Sequence, residues 1–222
     1  MKSKIMLSTV VALLLAIPFA SIAQKTKRAP KAVRKTVEKA LIVTGQVAGW
    51  VNNDDFVYDG LNLQTTNGIF LVKFPTTKGL QLTSAVQIGN TITVNGFEVV
   101  LTQGEKAIKP IGISFNGKNV FDSIPLLPAV AHKKENIYSK GKIVELQKDK
   151  QGNLKGLILD NKIILRVPKS FSEQFVKEAV VARIVSFSGV KQILRNGEVA
   201  AVSYTIIRCK TITINGKQYL TK

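Results

Sequence analysis

The sequence predicts an all-β chain with short helices, built as two tandem five-stranded Greek-key barrels behind an export signal. Three observations predict it. Short apolar runs rich in Val and Ile alternate with Gly, Asn and Asp, which is the composition of strands joined by tight turns. The same order of runs occurs twice. Hydrophobic residues make up 45% of the chain, enough for a packed core and too many for a disordered polymer. A length of 222 residues allows one large domain or two of about 80–100 residues, and the repeat decides for two.

The chain opens on Lys2 and Lys4, an apolar run from Met6 to Ala20, and a small-x-small Ser21-Ile22-Ala23 before Gln24. The run is short for a membrane span and has the grammar of a signal peptide, residues 1–23, cut after Ala23. The expectation is a protein of the periplasm or a secreted one, with no transmembrane segment once the signal is removed. No Cys stands at the cut to take a lipid. Residues 24–40 carry seven basic groups, one acidic group and no aromatic ones, and read as a basic flexible tail.

The first unit spans 41–122. Leu41 to Val51 makes a strand with Gly45 and Gly49 inside it, read as bends, and Asn52 to Asp55 a turn. Phe56 to Gln64 and Ile69 to Pro75 follow, joined by an Asn67-Gly68 turn. Thr76 to Ile88 fits a short helix or a loop. Asn90 to Leu101 alternates as a fourth strand, a fifth runs to Phe115, and Asn116-Gly117 turns a terminal hairpin. Residues 123–137, with Pro125 and Pro128, read as a linker.

The second unit, 138–222, repeats these landmarks in order. Gly141 and Gly156 lie 96 residues after Gly45 and Gly60. Val167-Pro168, Gly189 and Gly197-Glu198 lie 93 after Phe74-Pro75, Gly96 and Gly104-Glu105. Ile212-Thr-Ile-Asn-Gly-Lys lies 99 after Ile113-Ser-Phe-Asn-Gly-Lys. The offset changes only between expected strands, where loops accept insertions. Between the third and fourth strands, Phe171, Phe175, Val176 and Ala179 recur at helical spacing over 170–180, with Ser170 or Ser172 as N-cap. Five strands with a helix between the third and fourth is the layout of the oligonucleotide/oligosaccharide-binding (OB) barrel.

Gly141-Lys-Ile-Val, Gly152-Asn-Leu-Lys-Gly-Leu-Ile-Leu-Asp-Asn, Leu165-Arg-Val-Pro and Asn196-Gly-Glu-Val carry a resemblance. On them the second unit resembles a group of exported bacterial OB-like domains whose functions are largely unassigned. In that group, the resemblance implies, a glycine-rich hairpin ending in Asp-Gly leads into a strand ending in Phe-Pro-Pro-His. Here Asn161-Lys162 stands at the turn, and Val167-Pro168-Lys169-Ser170 lacks the second Pro and the His. The resemblance implies the fold and transfers no ligand or metal residue.

Charge is unevenly spread. The formal net charge is +18, yet residues 41–122 carry five basic and six acidic groups, while 138–222 carry sixteen and six. A basic second unit attracts anions such as nucleic acid, acidic polysaccharide or anionic lipid headgroups. The alternative is a solubilising surface with incidental charge on a protein–protein or structural module of the envelope. Because OB barrels bind across strands two and three, the candidate ligand residues are Lys155, Lys162, Arg166, Lys169 and Arg183. Strands two and three of this unit hold no aromatic residue, which argues against stacking single-stranded bases, and nucleic acid stays an open partner. The first unit has the aromatics (Phe56, Tyr58, Phe70, Phe74, with Trp50) and no basic excess.

No catalytic constellation is legible, so no enzyme activity, cofactor or metal is expected. His132 is the only histidine and lies in the linker; Cys209 is the only cysteine and sits in an apolar strand, as a buried thiol would. Asp54-Asp55-Asp59 lacks the spacing of a calcium loop and reads as an acidic turn. Glu105 and Glu198 recur at matching turn positions, which favours a structural role over an acid–base pair.

Overall fold

The computed structural model describes residues 39–101, 104–122, 135–169, 173–174 and 176–220. The expected signal segment, nearly all of the basic tail, most of the expected linker with His132, and residues 170–172 and 175 lie outside them. Residues 38–222 form one compact unit that holds both barrels.

The first barrel is made of β1 (Leu41–Asn52), β2 (Tyr58–Thr65), β3 (Gly68–Lys73), α1 (Gly79–Ala85), β4 (Thr91–Val100), β5 (Lys106–Phe115) and β6 (Lys118–Asp122). Its strands run in the order β3-β2-β1-β4-β5-β6, and a parallel β3–β5 pairing at Val72 and Ile108 closes five of them into a ring. The second has β7 (Asn136–Lys148), β8 (Leu154–Leu159), β9 (Ile163–Arg166), β10 (Ile184–Gln192), β11 (Thr205–Ile214) and β12 (Lys217–Leu220). It closes in the same way through parallel β9–β11 pairing. Both are OB-like barrels by this topology, and each ends in a sixth strand that pairs only with the fifth.

The expected landmarks are equivalent in space. Gly45 faces Ile92 across β1 and β4, and Gly141 faces Val185 across β7 and β10. Gly96 and Gly189 both lie in the fourth strand opposite a β-bulge in the fifth, at Ile111 of β5 and Lys210 of β11. Asn116-Gly117 and Asn215-Gly216 both have positive φ at the two turn residues, which Asn and Gly tolerate and which matches the right-handed twist of a hairpin. Each barrel encloses its own core: Leu61, Leu63, Val72, Ile92, Val94 and Ile113 in the first, Ile143, Leu157, Leu159, Leu165, Val185 and Ile212 in the second.

Local details sharpen or correct the sequence reading. The β2–β3 turn is Thr66-Asn67, with Gly68 already in β3 and paired with Thr65. Thr76 to Ile88 resolves into a 3-10 turn at Thr76–Lys78 and the helix α1, which lays Leu82 on the barrel core. Gly49 does lie at a β-bulge of β1, but the site does not require glycine: a Cβ there would meet nothing within 4 Å, whereas at Gly45 it would strike the Gln64 carbonyl. Of the helix expected over 170–180, Glu173 and Gln174 are helical and Val176 to Glu178 form a turn.

Candidate functional site

The site predicted from sequence was the outer face of the second barrel's strands two and three, β8 and β9. In the structure that face is covered by the first barrel. The cover begins in the acidic turn after β1. Asn53 Oδ1 accepts the backbone N–H groups of Asp55 at 2.9 Å and Val57 at 3.1 Å, an Asx-type turn that holds the loop in a tight coil. Phe56 takes a left-handed backbone with φ of 55°, so β2 starts at Tyr58 rather than at Phe56. The strand is shortened to aim a side chain. Phe56 packs with Tyr204, ring centroids 5.1 Å apart, over Ile158, Ile164 and Ile206, a third apolar cluster separate from the two barrel cores.

Charged groups ring this cluster. Arg166 donates from Nε to Asp55 Oδ1 at 2.6 Å and from Nη1 to Gln147 Oε1 at 2.7 Å. Lys155 pairs with Asp54. Gln192 Nε2 reaches Asp55 Oδ2 at 3.4 Å, and Arg208 Nε donates to Gln192 Oε1 at 3.2 Å. Two of the five candidate ligand residues, Lys155 and Arg166, are therefore occupied by carboxylates of the same chain. Lys162 is exposed at the β8–β9 turn with φ of 58°. Lys169 is exposed after β9, close enough to Asp149 to favour that carboxylate's charged form. Arg183 precedes β10 and donates from Nη1 to the Glu178 carbonyl at 3.1 Å.

The loop between β10 and β11 makes the second half of the joint. Ala201 N–H donates to the Phe56 carbonyl at 2.7 Å, Tyr58 N–H to Val199 at 3.0 Å and Leu80 N–H to Gly197 at 2.9 Å. Glu198 fastens it. Its carboxylate accepts Thr76 Oγ1 at 2.6 Å, Arg195 N–H at 2.8 Å and Arg195 Nε at 2.8 Å, and its side chain is 7% exposed. A cleft of about 470 Å³ lies between the barrels, lined by Asp55, Thr76, Gln192, Arg195, Glu198 and Arg208 among others. Its charged groups are already partnered, so it reads as the seam of the joint.

Burial pushes the Glu198 carboxyl up, but the hydrogen bonds from Thr76 and Arg195 and the Arg195 charge outweigh it and hold the group below its ordinary 4.5. A carboxyl depressed in the folded state stabilises it fully above the unfolded pKa and loses that contribution as pH falls through the folded one. Wild-type stability is thus expected to drop more steeply than that of Glu198→Gln below about pH 4.5. Urea titrations at stepped pH measure the difference between the two slopes, and parallel slopes would remove Glu198 as a fastener.

Cys209 lies in the second core at 5% exposure, and burial pushes its thiol up to about 12. Such a group is almost wholly protonated at neutral pH and inert as a nucleophile. Among the described residues no group of three His, Cys, Asp or Glu side chains converges to hold a metal ion, and no helix is long and apolar enough to cross a membrane.

The joint had two signals in the sequence. Leu157-Ile158-Leu159 and Ile163-Ile164-Leu165 are unbroken apolar triplets, the mark of a strand buried on both faces, where the first unit alternates as Leu61-Asn62-Leu63. The repeat offset also grows by six residues between Glu198 and Ile212, the stretch that reaches the first barrel. Asp54, Asp55 and Phe56 gave no signal, because their partners lie roughly a hundred residues away.

No protein-family model and no curated protein matches the chain. Among solved structures, the chain is similar to the crystal structure of wild-type single-stranded DNA binding protein from Thermus aquaticus. The identity is 11% over 82% of this chain and 95% of that one, with a TM-score of 0.25. The fold assignment rests on the strand order and barrel closure described above.

Proposed function

We propose that this chain is an exported, non-enzymatic binding module that attaches to an anionic partner through its second barrel, assisted by the basic tail. One observation supports the reading above the rest. After the joint has used Lys155 and Arg166, exposed cations remain on the second barrel: Lys140, Lys142, Lys148, Lys150, Lys162 and Lys177 form no ion pair with a described residue. Solvated cations of one sign attract polyanions over a Debye length of roughly 8–10 Å and do so less as salt rises. The interlocked first barrel serves as a rigid support, since its acidic turn neutralises the face that OB barrels use.

The test uses the mature chain, residues 24–222, on heparin resin in a salt gradient. Replacing the six lysines by Gln is expected to move elution to markedly lower salt while circular dichroism stays unchanged. Unchanged elution after all six are neutralised, or capture of a single envelope protein insensitive to salt, would overturn the reading.

A further inference from the structure

Resting on that reading of an anionic partner, we infer that the outer face of β7 and β10 is a docking surface for an anionic lipid bilayer. Along β7 the outward side chains are Tyr138, Lys140, Lys142 and Val144, and Tyr138 is 82% exposed. Ile184, 65% exposed, lies opposite Lys142 on β10, and Ser186 lies opposite Lys140. The loop before β10 adds Val181 at 57% exposure. It is fastened beside Val144, because Ala182 N–H donates to the Ile143 carbonyl at 2.8 Å and Ile143 N–H donates to the Arg183 carbonyl at 2.8 Å. The β8–β9 turn brings Lys162 to the rim, with Asn161 Nδ2 donating to the Lys140 carbonyl at 3.1 Å. The acids at the face are Asp160, whose Oδ1 accepts Lys142 N–H at 2.9 Å, and Glu145 beyond Val144.

The duplicated scaffold supplies its own comparison. The equivalent outward positions of the first barrel hold Ile42, Thr44 and Gln46 on β1 and Thr91 and Thr93 on β4. There Thr44 and Thr93 satisfy each other through their hydroxyls at 2.9 Å. The first copy also exposes aliphatic groups here, Ile42 on β1 and Ile88 before β4, but no lysine, so the barrel has no structural need for lysines on this face and the second copy adds them. Both strands are paired on either side, so the surface is a face and not an edge open to strand addition.

The mixture selects the partner. Val144, Val181 and Ile184 offer nothing to a nucleic acid or an acidic sugar chain, which reward amines and rings. A bilayer rewards each component: aliphatic groups enter the headgroup boundary, Tyr sits at the interface, and lysines lay their stems over apolar surface with the amine at the phosphates.

Flotation of residues 24–222 with phosphatidylcholine vesicles, with and without phosphatidylglycerol, tests this. Binding is expected only with the anionic lipid. K140Q/K142Q should weaken partition by about 30-fold, given the contribution of each lysine near an anionic surface. Ile184→Ser, at an exposed position, should weaken it several-fold with its fold intact. K148Q/K150Q removes the same charge elsewhere and should have a much smaller effect. An equal effect of K148Q/K150Q, or none of Ile184→Ser, would overturn the face. Resin retention without flotation leaves the anionic reading standing and removes the lipid; loss of both removes both. Single-stranded DNA or heparin binding that is sensitive to K140Q/K142Q, without flotation, would assign the face to a polymer instead.

Discussion

Gly189→Ala is expected to destabilise the protein by about 3 kcal/mol, the upper part of the range for forcing atoms into a packed site. Gly189 pairs with Cys209 beside the bulge of β11 at Lys210. A Cβ there would overlap the Arg208 carbonyl oxygen and stand 2.6 Å from Ile207 Cγ2. The oxygen belongs to the backbone of β11 and cannot rotate away, so β10 and β11, neighbours in the closed ring, must part. Gly96→Ala should cost a similar amount, since its Cβ would overlap the Lys109 carbonyl oxygen of β5. Gly49→Ala is the control: it meets open space, and its effect should stay within about 0.5 kcal/mol. Guanidinium unfolding of the three variants measures this order. A Gly189→Ala protein as stable as wild type would mean that the bulge is slack.

Asp55→Ala is expected to cost about 2 kcal/mol and to uncouple the two barrels. Losing one member of a fully buried ion pair costs about 3–5 kcal/mol, because the other charge is left without a partner in low dielectric. The Arg166 and Asp55 side chains are 17% and 26% exposed, so solvent reduces the cost. Arg166→Ala in the same background should cost little more, the non-additivity expected of residues in contact. Trp50, the only tryptophan, packs against Tyr58 and Phe74 in the first barrel and reports on that barrel alone. Its fluorescence and the far-ultraviolet circular dichroism should lose structure together in wild type, because the joint makes the barrels one cooperative unit. In Asp55→Ala, and more so with Phe56→Ala, the two curves should separate. Coincident curves in the double variant would show that the ring of charges and the Phe56 cluster do not couple the barrels.

Both predictions bear on function through the same fact. OB barrels present the face of strands two and three to ligands. In the second barrel that face is an internal joint, with Ile158 and Ile164 beneath Phe56, and Lys155 and Arg166 spent on Asp54 and Asp55. Lys140, Lys142 and Lys148 of β7, with Lys150, Lys162 and Lys177, stay exposed outside this joint.

The sequence by itself determined the scaffold. Turn chemistry such as Asn116-Gly117 and Asn215-Gly216, the period-two alternation of β4, and the spacing of Gly45, Gly96, Gly141 and Gly189 are local or repeat along the chain. They fix strands, turns and the duplication without knowledge of what packs where. The extra charge of the second unit was equally plain. Which charges are available was decided only by the tertiary structure. Lys155 pairs with Asp54, Arg166 with Asp55, and Thr76 with Glu198, each across about a hundred residues or more of sequence, so composition and spacing contain no trace of these pairs. Burial is a property of both partners of a contact. A sequence read in order shows that Ile158 and Ile164 are apolar, and only the packing of one barrel against the other shows what they face.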